Sequence, residues 1–308
     1  MSTAARPRGI AGHPGRLRAW LAAARPATLT AGVVPVVVGT ALAVADGVAR
    51  PALAGAALLG AVLIQVGTNL VNDLGDFRRG ADTAERLGPP RAVQRGWLTE
   101  REVAAGAAAA LAGAVVVGIA LVAAGGWPIA LIGVASLACA VAYTAGPFPL
   151  AYVGLGDLFV LLFFGGAAVC GTYYVQARAV TGGAAWASVA TGLMATAILV
   201  VNNLRDRETD ARAGKRTLVV RFGERFGRAE HAVTLLAPHA MVAAAAVLGG
   251  PGWLLPLVSL PLAVREVREV RRKDGAALNP HLGSTARVGV AFGALLSLGV
   301  ALWGRSWT

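Results

Sequence analysis

Charged side chains are scarce in this chain. Asp, Glu, Lys and Arg make up 14% of its 308 residues, whereas soluble domains contain roughly 25%, and hydrophobic residues make up 56%. None of the four charged types occurs in the 54 residues from Val103 to Gly156. At about 1.5 Å per residue, one helix of that length would far exceed a ~30 Å hydrocarbon core. The composition excludes an ordinary soluble domain and predicts an all-α integral membrane protein.

Cysteine and histidine are also rare, with two and four residues respectively. Cys139 and Cys170 lie in apolar runs without a Cys or His at ligand spacing, which predicts small buried hydrophobes rather than a disulfide or a zinc site. Residues 1–24 lack the apolar stretch of a signal peptide, so we expect the first span to be retained. We predict a disordered basic tail at 1–18 and one membrane domain at 19–308.

Gly- and Pro-rich breaks divide the apolar sequence into nine predicted transmembrane spans. The breaks include 125–128, 146–149 and 249–252. The predicted spans lie near 27–45, 52–73, 103–124, 128–145, 153–175, 183–204, 231–248, 253–267 and 287–303.

The Lys and Arg residues are concentrated in every second connection between these spans. Of the 28 Lys and Arg residues, 25 fall on the side that holds the N-terminus and 3 on the other. Cytoplasmic loops of membrane proteins carry such an excess, so we predict a cytoplasmic N-terminus in a multi-pass protein of the cell (inner) membrane. The net charge of +12 is accounted for by this pattern, which excludes nucleic acid as the expected partner.

Two similar motifs concentrate the polar side chains at the ends of predicted spans. The sequence VNDLGD occupies 71–76 and VNNLRD occupies 201–206, 130 positions later. We call Asn72, Asp73 and Asp76 the first acidic motif, and Asn203, Asp206 and Asp210 the second acidic motif. The spacing within each places its members on one helical face, and the repeat predicts two related halves with a site between them, facing the cytoplasm.

The donors in both motifs are hard oxygens, which favour Mg²⁺ over zinc. Polar and basic residues follow each motif, including Arg91 and Gln94 after the first and Lys215 and Arg216 after the second. Two acidic motifs with basic neighbours are typical of a site that binds a diphosphate through bridging cations. Loss of a metal-bound diphosphate from an allylic carbon leaves a carbocation. Such a cation needs a dry cavity and an acceptor such as an electron-rich aromatic ring.

Four stretches carry a resemblance to a known family. Residues 72–82 with GPPRAVQRG at 88–96 resemble the first signature of the UbiA superfamily of intramembrane prenyltransferases. Residues 202–210 with GKRTL at 214–218 resemble the second signature, in the form found in the branch of menaquinone synthesis that prenylates 1,4-dihydroxy-2-naphthoate. Residues 25–41 and 143–157 also fit that branch. The resemblance covers roughly residues 19–303.

This resemblance implies nine helices around a cytoplasm-facing cavity that opens laterally to the lipid bilayer. It implies transfer of a polyprenyl group from polyprenyl diphosphate to 1,4-dihydroxy-2-naphthoate, with loss of CO₂ and diphosphate, giving demethylmenaquinone. Mg²⁺ would be held by Asn72, Asp73, Asp76, Asn203, Asp206 and Asp210, the four aspartates being catalytic. The expected substrate contacts are Asn69, Asp82, Arg91, Gln94, Tyr143, Lys215 and Arg216.

Two alternatives remain at this point. A UbiA-type enzyme could use another aromatic acceptor, because the GKRTL signature is not the acceptor pocket. An ion-coupled membrane transporter would carry acids inside its spans. Here the acids lie at span ends, with only Asp157 close to entering one, and this favours the enzyme.

Overall fold

The computed structural model describes residues 14–80, 86–144, 149–305 and 307. Within these ranges the regular structure is entirely helical, as the composition predicts. The α-helices are α1 Arg16–Ala24, α2 Pro26–Ala45, α3 Pro51–Arg78, α4 Glu100–Gly125, α5 Trp127–Ala142, α6 Gly156–Val160, α7 Gly171–Ala177, α8 Gly182–Arg212, α9 Leu218–Gly249, α10 Leu260–Val270 and α11 Asn279–Trp303. A π-helical segment, Leu161–Cys170, joins α6 to α7, and 3₁₀ segments occupy Pro251–Ser259 and Gly275–Leu278.

Within the described residues every predicted span overlaps helical chain, but the count of nine crossings is not fully confirmed. Seven helices of the described chain are long and apolar enough to cross a membrane. The predicted span 128–145 corresponds to the shorter helix α5. The span predicted at 253–267 falls on the 3₁₀ segment Pro251–Ser259 followed by α10. Pro256 and Leu260-Pro261 interrupt α-helical hydrogen bonding there, so this stretch lacks one continuous α-helix.

The helices that carry the acidic motifs continue past their apolar parts. Helix α3 ends at Arg78 and α8 at Arg212, beyond the span ends predicted at 73 and 204. Hydropathy marks where apolar side chains stop, whereas the helical hydrogen bonds continue through Asn, Asp and Arg. The acidic motifs are therefore held in the last turns of two long rigid helices rather than in loops.

Several helix ends follow local sequence signals. Thr99 and Glu102 form a reciprocal capping box at the start of α4, and Thr217 caps α9. The predicted breaks at 125–128 and 249–252 are confirmed, with Gly126 and Gly250 at φ of 75° and 87°. That left-handed region favours glycine. Of the third predicted break, residues 146–148 lie outside the described residues.

Helix α8 forms the centre of the bundle, packed against α9, α11 and the π-helical segment. It approaches the π-helical segment closely at two glycines, because a Cβ on Gly192 would lie 2.7 Å from the carbonyl oxygen of Leu161 and 3.0 Å from the Cα of Gly165. A main core contains Leu42, Leu235, Trp253 and Phe292. The N-terminal division predicted at residue 18 stays a prediction, since residues 1–13 are outside the described residues and α1 begins at Arg16.

Candidate active site

The first acidic motif is buried at the end of α3 and is bound by the segment that follows it. Asp73 Oδ2 accepts a hydrogen bond from the backbone N–H of Ala92 at 3.0 Å. Asp76 accepts from Arg91 at 3.3 Å and from the Tyr152 hydroxyl at 3.0 Å. Asp73 Oδ1 is buried and makes no hydrogen bond within the described residues. Two chain segments therefore converge on these two carboxylates, and within the described residues one carboxylate oxygen has no hydrogen-bond donor.

The two asparagines beside this motif have different partners. Asn72 Oδ1 accepts from the Thr144 hydroxyl at 2.7 Å. Asn69 Nδ2 donates to Ala24 O and to Thr28 Oγ1, at 2.8 and 3.0 Å. The amide of Asn69, predicted as a substrate contact, thus also joins α3 to the α1–α2 connection.

In the second acidic motif, α8 turns its side chains in more than one direction. Asp206 is held by its neighbour Arg205, whose Nε and Nη2 donate to the two carboxylate oxygens at 2.8 and 2.6 Å. Asn203 Nδ2 donates to the buried Asp157 at 3.5 Å. Asp210 faces Lys215, with 3.7 Å between Nζ and Oδ1.

Lys215 brings the two motifs together. Its Nζ lies 3.3 Å from Asp76 Oδ1 as well as 3.7 Å from Asp210 Oδ1. It also lies 4.8 Å from the centroid of the Tyr152 ring, a distance at which a cation is attracted to the ring face. Residues separated by 134 positions along the chain therefore meet around one ammonium group.

Tyr152 completes this cluster from the chain before α6. Burial raises the pKa of its phenol, and the negative charge and hydrogen bond of Asp76 raise it further. The hydroxyl therefore stays protonated at neutral pH and donates to Asp76. The backbone carbonyl of Tyr152 accepts from the N–H of Arg216 at 2.9 Å, which fixes the Lys215 segment against it.

The remaining predicted contacts are distributed around this cluster. Arg91 is buried on Asp76, and Gln94 is partly buried in the same segment. The side chain of Arg216 is exposed. Tyr143 lines the cavity described below, and Asp82 lies outside the described residues.

A cavity of about 550 Å³ lies next to the acidic motifs, among α2–α5, the α6–α7 helix and α8. The carboxamides of Asn72 and Asn202 line it, whereas Asp76 and Asp206, one helical turn further along each helix, do not. Arg25 is the one charged side chain among the described lining residues. The cavity is thus apolar with a polar end, and the carboxylates lie beyond that end.

The rest of the lining consists of aliphatic and aromatic side chains. Phe159 and Phe163 stack with ring centroids 6.0 Å apart. Ile119 on α4 and Val134 on α5 line the cavity and are also 65% and 66% exposed. The gap between α4 and α5 therefore opens sideways, where a bilayer would surround the protein.

Sequence reasoning missed three residues of this site. The 130-residue repeat aligns Asn72 with Asn202, and this register could have identified Asn202. Arg205 lies within the VNNLRD sequence at 201–206, but the sequence alone assigns it no role. No sequence pattern pointed to Tyr152, because its contact with Asp76 depends on the tertiary packing of residues 76 positions apart.

The donor set fits a hard cation that is only partly coordinated by protein. Among the described residues no three His, Cys, Asp or Glu side chains are grouped so that they could hold a metal ion. Mg²⁺ usually keeps several waters and binds one or two carboxylates together with substrate phosphates. Within the described part of the chain, Asp73 Oδ1 is a buried carboxylate oxygen without a hydrogen-bond donor, and Asn72 and Asp76 flank it along α3. The site therefore fits Mg²⁺ shared with a phosphate ligand.

Comparisons with known proteins match most of the chain to prenyltransferases. The model of the UbiA prenyltransferase family matches residues 32–296. The 1,4-dihydroxy-2-naphthoate octaprenyltransferase of Escherichia coli (strain K12) is 38% identical, covering 93% of this chain and 96% of that protein. The enzyme of the same name from Mycobacterium tuberculosis is 40% identical, covering 86% and 91%.

Solved structures share the fold at lower identity. A UbiA homolog from Archaeoglobus fulgidus bound to GPP and Mg²⁺ has a TM-score of 0.65 at 18% identity, covering 92% of this chain and all of that one. The apo UbiA homolog from Aeropyrum pernix K1 has a TM-score of 0.68 at 17% identity, covering 87% and 97%. At these identities the likeness concerns the fold.

Proposed function

Because the chain belongs to the UbiA prenyltransferase family, we propose that it transfers a polyprenyl group from polyprenyl diphosphate to 1,4-dihydroxy-2-naphthoate, in menaquinone biosynthesis. The acceptor is the one named for relatives that match along most of their length. The observation that carries the proposal is the junction at Lys215. There, carboxylates of both acidic motifs meet beside the polar end of an apolar cavity.

The residues around this junction hold the diphosphate end of the donor. Arg91 and Lys215, which pair with Asp76, supply positive charge to the phosphates, with Gln94 and Arg216 in the flanking segments. Asn72, Asp73 and Asp76 with Asn203, Asp206 and Asp210 would hold Mg²⁺, which when bound neutralises the diphosphate and makes it a better leaving group. Tyr152 holds the Asp76 carboxylate in place through its protonated hydroxyl.

The cavity holds the prenyl chain and keeps water from the reacting carbon. The C–O bond of the donor breaks and its electron pair leaves with the diphosphate. The ring carbon that bears the carboxylate attacks the allylic carbon, and the carboxylate leaves as CO₂, returning an electron pair to the ring. The product of this balance is the hydroquinone, demethylmenaquinol. The predicted demethylmenaquinone is its oxidised form, reached only when a separate oxidant removes two electrons and two protons after the transfer.

The geometry favours this function over a transporter. In an ion-coupled transporter the acids would line a path at the membrane midplane. Here the motif acids occupy the last turns of α3 and α8, and the cavity lining carries no acidic side chain within the described residues. We further propose the orientation predicted from the basic residues, with the N-terminus and the site facing the cytoplasm of the cell (inner) membrane.

A product assay tests the function. Membranes containing the protein receive labelled farnesyl diphosphate, Mg²⁺ and a panel of aromatic acids, and products are identified by mass spectrometry. We expect a prenylated product from 1,4-dihydroxy-2-naphthoate and little from the other acids. Equal product from another acid would favour the alternative acceptor, and no product would overturn the function.

Carboxylate variants test the site in the same assay. Asp73→Ala and Asp206→Ala should each retain less than about a tenth of the activity, a loss of more than ~1.4 kcal/mol of transition-state stabilisation. Glu208→Ala is the matched control, because Glu208 lies two residues from Asp206 with its side chain 78% exposed. If either aspartate variant remains as active as the control, that motif does not bind the metal-diphosphate.

A further inference from the structure

Asn279, the first residue of α11, lies outside both acidic motifs. It contacts the segment that binds the first motif and the helix that carries the second. Its Nδ2 donates to the backbone carbonyl of Leu87 at 2.7 Å, and its Oδ1 accepts from Arg205 Nη1 at 3.2 Å. The carboxamide therefore uses a donor toward one segment and an acceptor toward the other. Neither a carboxylate nor an aliphatic side chain provides both.

On the α8 side, Asn279 fixes the guanidinium that holds Asp206. The Arg205 side chain is 2% exposed, and Nε and Nη2 pair with both oxygens of Asp206. A bidentate pair of this kind constrains direction as well as distance. Gly88 closes the other side, since a Cβ there would lie 2.7 Å from Arg205 Nη2. The rotamer of Arg205, and with it the direction of Asp206, is fixed by these contacts.

On the α3 side, Leu87 lies near the start of the segment 86–98, which binds the first acidic motif. Arg91 in this segment donates to Asp76, and the Ala92 N–H donates to Asp73. The contacts Leu87–Asn279–Arg205 therefore join the segment that holds one motif to the residue that holds the other. A second connection between the motifs runs through Lys215.

We propose that Asn279 is a positioning residue for prenyl transfer: it sets the segment 86–98 and the Arg205–Asp206 pair at the separation that one diphosphate must span. The proposal rests on the proposed function, because the group positioned is the diphosphate site. Asn279 touches neither motif directly and acts through Arg205 and Leu87.

Three variants test the contact of Asn279 with Leu87 separately from its contact with Arg205. Asn279→Ala removes both hydrogen bonds, whereas Asn279→Asp keeps the acceptor for Arg205 and loses the donor to Leu87. Gly88→Ala displaces Arg205 while leaving Asn279 in place. We expect Asn279→Ala to lower kcat/KM for farnesyl diphosphate roughly tenfold, as the loss of two hydrogen bonds implies. Asn279→Asp should lose less, and the KM for 1,4-dihydroxy-2-naphthoate should stay within about twofold.

A ligand-induced shift in melting temperature distinguishes positioning from simple stabilisation. Purified protein is melted alone and with inorganic pyrophosphate plus Mg²⁺. The control is Ser284→Ala, a partly exposed position on α11 whose hydroxyl bonds only to Pro280 and Arg287 among the described residues. Asn279→Ala should melt near the control without ligand and lose most of the pyrophosphate shift. The proposal is overturned if the variant keeps the full shift and the control kinetics. It is also overturned if the ligand-free Tm and both KM values change together.

Two further outcomes remain decisive. If Asn279→Ala does not fold, Asn279→Asp and Gly88→Ala are judged by the same two measurements. If the wild-type protein forms no prenylated naphthoate, the proposed function fails. The pyrophosphate shift, lost or kept in the variants, then still decides whether Asn279 positions a diphosphate site.

Discussion

At the scale of single residues, Lys215 has the most specific position in the site. It contacts a carboxylate from each acidic motif and the face of Tyr152, and its side chain is only 15% exposed. Such a cation neutralises both motifs in the protein alone and can move toward phosphate oxygens when a diphosphate binds. We therefore expect it to act on the donor rather than on the aromatic acceptor.

Lys215→Ala should lower kcat or raise the KM for the prenyl diphosphate, with the KM for the naphthoate nearly unchanged. A charge that acts at a partly desolvated site contributes ~2–4 kcal/mol to the stabilisation of the transition state. Lys215→Arg should recover part of the loss, because a guanidinium has a different shape and reach. Steady-state kinetics with each substrate varied separately measure this, with the exposed Arg225→Ala as the control. A selective rise in the naphthoate KM would contradict the assignment.

Tyr152 gives a prediction in which pH is the variable. Burial and Asp76 raise the pKa of its phenol above the ordinary value near 10, so the hydroxyl stays protonated throughout the physiological range. Tyr152→Phe should therefore reduce kcat/KM for the prenyl diphosphate about three- to tenfold, by the same factor at every pH from 6 to 9. A variant whose loss appears only above or below one pH would show that Tyr152 titrates during turnover.

The residues of the site differ in how well the sequence predicted them. Asn72, Asp73 and Asp76 share a helical face by spacing alone, and α3 places them together because the helix continues to Arg78. The same argument placed Asn203 beside Asp206, yet its amide points to Asp157. Helical spacing defines a face only to within one residue, so whether Asn202 or Asn203 faces the cavity depends on tertiary packing.

At the scale of helices, the sequence predicted where each helix lies better than how it is built. Apolar runs and Gly-Pro breaks placed each of the nine predicted spans on chain that is largely helical where it is described, although the count of nine crossings is not fully confirmed. They did not predict the π-helical segment Leu161–Cys170, because its hydrogen-bond register has no signature in apolar composition. Packing offers one reason for it, since this segment approaches α8 at Gly165 and Gly192.

Two neighbouring glycines test that close approach. A Cβ on Gly165 would collide with the backbone carbonyl of Ser188, whereas a Cβ on Gly166 has nothing within 4 Å. Gly165→Ala should destabilise the protein by about 1–3 kcal/mol, the usual cost of overpacking. Gly166→Ala should leave stability unchanged or slightly raised. Thermal unfolding of the two purified variants measures the difference, and equal melting temperatures would show that the helices separate without cost.

At the scale of the whole molecule, the distribution of 25 basic residues against 3 predicts the topology. Nine crossings place the termini on opposite sides, whereas eight would place them on the same side. The stretch from Pro251 to Val270 decides between these counts, since it is part 3₁₀ and part α-helix. A reporter that is active only outside the cytoplasm, fused after Thr308, should be active, and the same reporter at the N-terminus should be inactive. Activity at neither end would mean that this stretch does not cross.

The central claim is that both acidic motifs act together on one metal-bound diphosphate beside a dry cavity, and that the acceptor loses its carboxylate. The stoichiometry of products measures this most directly. The purified protein is supplied with farnesyl diphosphate and 1,4-dihydroxy-2-naphthoate labelled in its carboxyl group, with Mg²⁺ or with excess chelator. We predict one labelled CO₂ for each diphosphate released and each prenylated product formed, and none of the three with chelator. Prenylated product that keeps its labelled carboxyl group, or full turnover in chelator, would contradict the account.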